Sequence, residues 1–318
     1  MKAAIVSRPN QTPFYGDFDA PIAGAGEYSI SVTAAALSQL VKGRASGAHY
    51  SSSGKFPFVV GVDGVGRLDD GRRVYFLLPE PPYGSMAERV AIRASQCLPL
   101  PEDLDDVTAA AIANPGMSAW AAFKERAGLA AGETVLVNGA TGTAGRLAVQ
   151  IAKYLGAGKV IATGRNVEVL RSLGALGADV TIPLGADREI LEAALREQFA
   201  AGVDVVVDYL WGPSAESLLL AAAKSGQGAR PLRFVQIGAI SGGSINLPGA
   251  VLRSSAIELK GSGIGSVPLE RLLQAIDGVL RAATPGGFKI ATQAIPLAQV
   301  ESAWNVTDDS RRTVLVNP

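Results

Sequence analysis

Val135-Leu136-Val137-Asn138-Gly139-Ala140-Thr141-Gly142-Thr143-Ala144-Gly145 is the stretch on which the reading of this chain turns. An apolar run with strand character meets a glycine triplet, and a helical segment follows, which is the context that gives a glycine fingerprint meaning. A nucleotide pyrophosphate needs close backbone approach, bare N–H groups and the positive end of a helix. Gly139 and Gly142 are expected to supply the turn and the approach, and Gly145 the close helix–strand contact. Thr141, Thr143 and Ala144 complete the cradle. The spacing is G-x-x-G-x-x-G, one residue away from G-x-G-x-x-G.

Outward from this turn the pattern is a regular alternation of strand and helix, the mark of a parallel sheet. Strands are expected at 134–138, 159–163, 179–183, 204–208, 232–238 and 257–261. Helices are expected at 144–155, 167–173, 188–199 and 214–223, with Asn166 as an N-cap. Val205-Val206-Val207 is continuously apolar, as in a strand covered by helices on both faces. Six strands with right-handed crossovers make a doubly wound Rossmann sheet. Residues 1–113 have another texture: short β-rich pieces at 28–32, 58–62, 73–78 and 88–92, punctuated by turn signals such as Asp70-Gly71. After Gly265 a helix starts at Pro268, then strand-like pieces return at 289–295 and 313–316. The expected organisation is therefore α/β, with a β-rich domain at 1–114, a Rossmann domain at 115–265, and a return to the first domain at 266–318.

The second Rossmann strand ends Val160-Ile161-Ala162-Thr163-Gly164-Arg165-Asn166, with no acid from Leu155 to Val167. A ribose 2′-hydroxyl calls for Asp or Glu at this place. Here Arg165 stands where a 2′-phosphate would lie and can grip it with two charged hydrogen bonds. NADPH is the expected cofactor, with Thr163 and Gly164 beside Arg165. At the carboxyl ends of the later strands, Tyr209, Gly238, Ala239, Gly261, Ser262 and Gly263 face the crevice where a ligand of such a sheet binds. Trp211 follows Tyr209 there.

Composition narrows the partners. Lys plus Arg equals Asp plus Glu at 29 each, so no basic footprint marks nucleic acid or an anionic membrane. Cys97 is the only cysteine and His49 the only histidine, which leaves no disulfide, no thiolate zinc cluster and no spare histidine for a Ser–His–Asp triad. No signal peptide is evident, and the uncharged run from Phe234 to Leu252 is too rich in Gly, Ser and Pro for a membrane helix. A cytoplasmic protein acting on a small molecule is expected.

With these pieces placed, the chain resembles the quinone oxidoreductase (zeta-crystallin-like) branch of the medium-chain dehydrogenase/reductases. The likeness runs from end to end. It rests on Ala34-Ala35-Ala36-Leu37, Gly61-Val62-Asp63-Gly64-Val65-Gly66 and Gly84-Ser85-Met86-Ala87-Glu88, and above all on Val135 to Thr163 through Gln150-Ile151-Ala152-Lys153. The resemblance implies a GroES-like β-rich catalytic domain beside the Rossmann domain, a homodimer, and hydride transfer to a quinone or an α,β-unsaturated carbonyl compound. Zinc-dependent relatives carry a cysteine and a His-Glu pair where this chain has Ser38 and Val62-Asp63, so no metal is expected. Ser38, Tyr50, Asn114 and Ser118 are the polar groups expected near the nicotinamide, with Tyr50 either donating to a developing enolate oxygen or serving as a pocket wall. The competing reading is an NADPH-binding structural or redox-sensing protein with little turnover. A short-chain reductase is disfavoured because no tyrosine has a lysine four residues on.

Overall fold

The structure is a computed structural model and describes residues 1–49, 52, 54–306 and 311–317. The chain divides into two compact units: Met1–Asn114 with Val279–Pro285 and Ile290–Pro318, and Pro115–Gly278 with Gly286–Lys289. No helix among the described residues is long and apolar enough to cross a membrane.

The second unit is built on a six-stranded parallel sheet. Its spatial order is Val180–Pro183, Lys159–Gly164, Thr134–Asn138, Val205–Asp208, Leu232–Gln236 and Ile257–Gly261. This is the doubly wound order, in which the sequence of strands reverses between Thr134–Asn138 and Val205–Asp208. The interior of these strands is fully buried, with Val135, Leu136, Val137, Val205, Val206 and Val207 all at 0% exposure. Two boundaries differ from expectation for a visible reason. The fifth strand stops at Gln236 because the N–H groups of Ile237 and Gly238 both turn to the carbonyl of Asp208. The helix Gly212–Ala223 starts two residues early because Pro213 seats itself in the first turn. Asn166 caps Val167–Ser172 as the sequence suggests, its Oδ1 accepting from Val169 N at 3.1 Å.

The first unit is mostly antiparallel. A seven-stranded sheet runs Thr292–Pro296, Arg312–Val316, Glu27–Ala36, Asp63–Leu68, Arg73–Leu77 and Cys97–Pro99, with Arg89–Arg93 also pairing with Glu27–Ala36. The chain's last described strand thus completes a sheet begun in its first forty residues. A three-stranded sheet, Phe14–Asp17, Lys2–Val6 and Phe58–Val59, lies in the same unit. One apolar core of this unit joins Ala35, Leu37 and Val41 to Leu297, Val300 and Leu315.

Two helices break the β texture expected up to residue 113. Gln39–Ser46 ends on Gly47 in the left-handed region at φ 79°. Asp106–Ala121 belongs to the first unit up to Asn114 and to the second from Pro115, which lies inside the helix. Asp105 starts it, its Oδ1 accepting from Thr108 N at 2.9 Å, and the alanines from Ala109 to Ala113 propagate it. A wider turn, Ala122–Ala127, continues it to Gly128.

Candidate cofactor and active site

In the second unit the glycine turn has the shape its residues require. Gly139 sits at φ 87°, and a Cβ there would meet the Leu210 side chain at 2.9 Å. At Gly145 a Cβ would lie 2.3 Å from the Gly139 carbonyl oxygen and 2.6 Å from Ala140 Cα, so helix and turn touch backbone to backbone. Gly142 is different: only open space lies around it, the nearest atom being 3.9 Å from where a Cβ would stand. It is the N-cap of the helix Thr143–Tyr154, and no side chain caps that helix. The cradle therefore fits a diphosphate, with tight packing behind the turn and bare backbone in front.

The turn is tied to the end of the neighbouring strand. Ala140 N donates to the Thr163 carbonyl at 2.8 Å, and Gly164 has no room for a side chain because Thr141 Cγ2 fills it, 2.4 Å from the Cβ position. Arg146 holds the turn from the helix side, Nε donating to the Thr141 carbonyl at 2.8 Å. Arg165 follows directly and is exposed, and it takes part in none of the ion pairs found among the described residues. A guanidinium left in that state suits a phosphate.

Beneath the turn lies a buried polar network that sequence reasoning missed. Asn138, Thr163 and Asp208 are each 0% exposed. The Thr163 hydroxyl donates to Asn138 Oδ1 at 2.6 Å, and the Asn138 amide donates to Asp208 Oδ1 at 2.7 Å and Ser214 Oγ at 3.0 Å. Asp208 also accepts from the backbone N–H of Leu210 at 2.9 Å and of Trp211 at 3.1 Å. Burial raises the Asp208 pKa, while the Leu210, Trp211 and Asn138 bonds oppose that rise. The available signal was polar residues ending otherwise apolar strands.

At the same sheet edge, Tyr209 and Ser118 come together. The Ser118 hydroxyl donates to the Pro115 carbonyl at 2.7 Å, so the Tyr209 hydroxyl, 3.4 Å away, is the donor to Ser118 Oγ. Ser118 is mid-helix and is not a cap. Burial pushes the Tyr209 hydroxyl well up, so it stays protonated and a donor. Gly238 packs against the turn at Tyr209, where a Cβ would meet the Tyr209 carbonyl at 2.6 Å. Ala239 and Gly261 are exposed, Ser262 is buried with its N–H on the Gln236 carbonyl, and Gly263 N donates to Ser266 Oγ at 2.9 Å.

In the first unit, the strand register brings the end of Glu27–Ala36 beside the starts of Asp63–Leu68 and Arg312–Val316. Ser38 lies at that end as the N-cap of Gln39–Ser46, its Oγ accepting from Val41 N at 3.1 Å. Asp63 is buried and accepts from the Tyr75 hydroxyl at 2.9 Å. Burial pushes its carboxyl up to about 6, against the pull of Arg312, Tyr75 and Asn114. Asn114 lies near enough to Asp63 to exert that pull, and its buried Nδ2 has no hydrogen bond of good geometry among the described residues. Tyr50 lies outside the described residues. Cys97 is partly buried, and burial pushes its thiol up to about 12.

A family model described as "Zinc-binding dehydrogenase" matches residues 144–312, more than half of the chain. A probable NADPH-dependent quinone reductase of Emericella nidulans is 30% identical over 335 residues, covering 92% of each chain. This chain is a medium-chain dehydrogenase/reductase of the quinone oxidoreductase type. As an enzyme of that family it is an oxidoreductase. The quinone oxidoreductase of Thermus thermophilus, solved also in complex with NADPH, is similar across all of both chains at TM-score 0.83 and 28% identity. Prostaglandin reductase-3 of Bos taurus is 30% identical over 208 residues, 62% of this chain and 51% of the relative. The family description names zinc, and the donors here do not fit it. The positions in question hold Ser38, a cap hydroxyl; Val62, a hydrocarbon; and Asp63, a carboxylate already bonded to Tyr75. Among the described residues no three His, Cys, Asp or Glu side chains are grouped to hold a metal.

Proposed function

We propose that this chain reduces quinones or α,β-unsaturated carbonyl compounds with NADPH, and does so without a metal. The observation that carries the cofactor reading is the pairing of an open glycine cradle with an exposed Arg165, in no ion pair among the described residues, at the end of the adjacent strand. The names of the fungal and Thermus relatives point the same way. Residues 115–265 serve the cofactor in this reading, and 1–114 with 266–318 serve the substrate.

Bound NADPH supplies the hydride. The protein's part is to hold, orient and polarise. Gly139, Thr141, Gly142, Thr143, Ala144 and Gly145 receive the diphosphate, while Thr163, Gly164 and Arg165 surround the phosphorylated ribose. Tyr209, Gly238, Ala239, Gly261, Ser262 and Gly263 line the nicotinamide end, Tyr209 with its proton fixed toward Ser118. Asn114, Ser38 and Tyr50 are the candidate donors to a substrate oxygen that gains charge.

Arg165→Ala is expected to weaken NADPH by about 1.5–3 kcal/mol, the scale of a charged hydrogen-bond contact. That is roughly 10- to 150-fold in Kd. NADH binding stays within about twofold. Titration of both nucleotides checks this, and equal losses for the two refute the role of Arg165. Turnover is tested by following NADPH absorbance against a panel of small quinones and enones. Tight NADPH binding with no oxidation anywhere in the panel favours the sensing role, and stoichiometric zinc in the purified protein overturns the metal-free reading.

A further inference from the structure

We infer that Asp208 is a positioning residue for the cofactor, acting through Asn138 and Thr163 to lock three separate turns at the carboxyl edge of the sheet into one rigid frame. The inference rests on the cofactor reading above and adds a residue to it that touches no cofactor.

Three connections meet at this one buried residue, two at its carboxylate and one at its backbone. The first runs to the diphosphate turn: Asp208 Oδ1 receives the Asn138 amide, Asn138 Oδ1 receives the Thr163 hydroxyl, and Thr163 Oγ1 receives the Gly139 N–H at 3.4 Å. The second is the turn after Asp208 itself, where both carboxylate oxygens hold the Trp211 N–H. Trp211 has φ 57° and ψ −158°, a region that is nearly closed to residues other than glycine. Such a conformation persists only where its surroundings over-determine it. Here the carboxylate grips the backbone from one side. The Trp211 ring packs on Phe234 at 6.4 Å from the other, and Ser214 Oγ closes onto the Trp211 carbonyl at 3.3 Å. The third connection leaves from the backbone of Asp208, whose carbonyl takes the N–H groups of Ile237 and Gly238.

The direction of every bond is fixed, which makes the frame sensitive to a single atom. Asp208 Oδ1 accepts the Asn138 amide and the Leu210 N–H, and shares the Trp211 N–H with Oδ2. An amide at position 208 can leave its oxygen at that place, so the atom is removed only by a side chain without it, as in Asp208→Ala. The Asn138 amide is then held by Ser214 Oγ alone, and the Thr163 hydroxyl loses a fixed acceptor and the reason to offer its lone pair to Gly139. A residue that merely filled the core would not transmit its identity along such a chain.

Two variants test this, each titrated with NADPH and with NADH well below its melting temperature. Asp208→Ala is expected to raise the Kd of both nucleotides at least about tenfold and by similar factors, unlike Arg165→Ala, which acts on NADPH alone. Thr163→Val keeps the shape and removes only the hydroxyl link. It is expected to raise both Kd values about fivefold with little change in melting temperature. The double variant is expected to be no weaker than Asp208→Ala alone, since both cut one chain. If Asp208→Ala fails to fold, Thr163→Val decides by itself. Wild-type binding with variant Kd values within about twofold of it, whatever happens to melting temperature, overturns the proposal alone. No NADPH binding by the wild-type protein overturns the cofactor reading and this proposal with it.

Discussion

Asp63 shows how a single residue carries both the ancestry and the electrostatics of the first unit. It stands where zinc-dependent relatives place a glutamate, yet its carboxyl is buried against Tyr75 and near Arg312 and Asn114. Its pKa rises from 3.8 to about 6 on folding. A raised carboxyl favours the folded state while protonated, so its contribution is fully present below about pH 4 and lost as pH rises through about 6. The loss is on the order of 3 kcal/mol, at about 1.36 kcal/mol per pH unit. Melting temperature is therefore expected to fall between about pH 4 and 6, and Asp63→Asn is expected to flatten that fall. A variant that melts with an unchanged pH profile removes Asp63 as its source. Residues of this kind were hard to read in advance. Val62-Asp63 was visible as a departure from a ligand pattern, but its partners Tyr75, on the next strand, and Arg312, far along the chain, are brought to it only by strand register. Arg165 and the glycines, by contrast, lie within one strand–turn–helix unit and the strand beside it, so local chemistry is enough to propose roles for them.

At the scale of elements, the parallel sheet was legible because each strand is apolar on both faces and each helix follows at a regular interval. The helix Asp106–Ala121 was not, because Asn114-Pro115-Gly116 reads as a break. The structure runs the helix through it, with Ala109 to Ala113 and Ala119 all buried at 0% exposure. Burial of that face outweighs the one helical bond that Pro115 cannot make. The start of this helix rests on Asp105, so Asp105→Ala is expected to cost about 1 kcal/mol by leaving the Thr108 N–H uncapped. Thermal unfolding measures it, and an unchanged melting temperature shows that packing alone sets the boundary. The carboxyl edge of the sheet was legible in a similar half-way manner. Tyr209, Gly238 and Gly261 were placed there from strand ends, whereas the bonds beneath them, from Asn138 to Asp208, join side chains 70 residues apart and leave no local pattern.

For the whole molecule the open question is assembly. Ile257–Gly261 is the last strand of its sheet, pairs on one side only among the described residues, and carries Leu259 at 39% exposure, with Leu252 at 45% just before it. An exposed strand edge with apolar neighbours is a template for pairing with a second chain. We expect a homodimer, with sedimentation giving twice 32.7 kDa and Leu259→Lys shifting it toward the monomer. A monomeric wild-type protein at micromolar concentration removes that expectation.

The quinones and enones proposed above as substrates are compounds that alkylate thiols. Cys97 is the only sulfhydryl in the chain, and with its proton held up to about 12 the nucleophilic anion is about one part in 100,000 at neutral pH. The same burial that makes this cysteine chemically dull leaves the catalyst with no reactive sulfur of its own for a substrate to arylate.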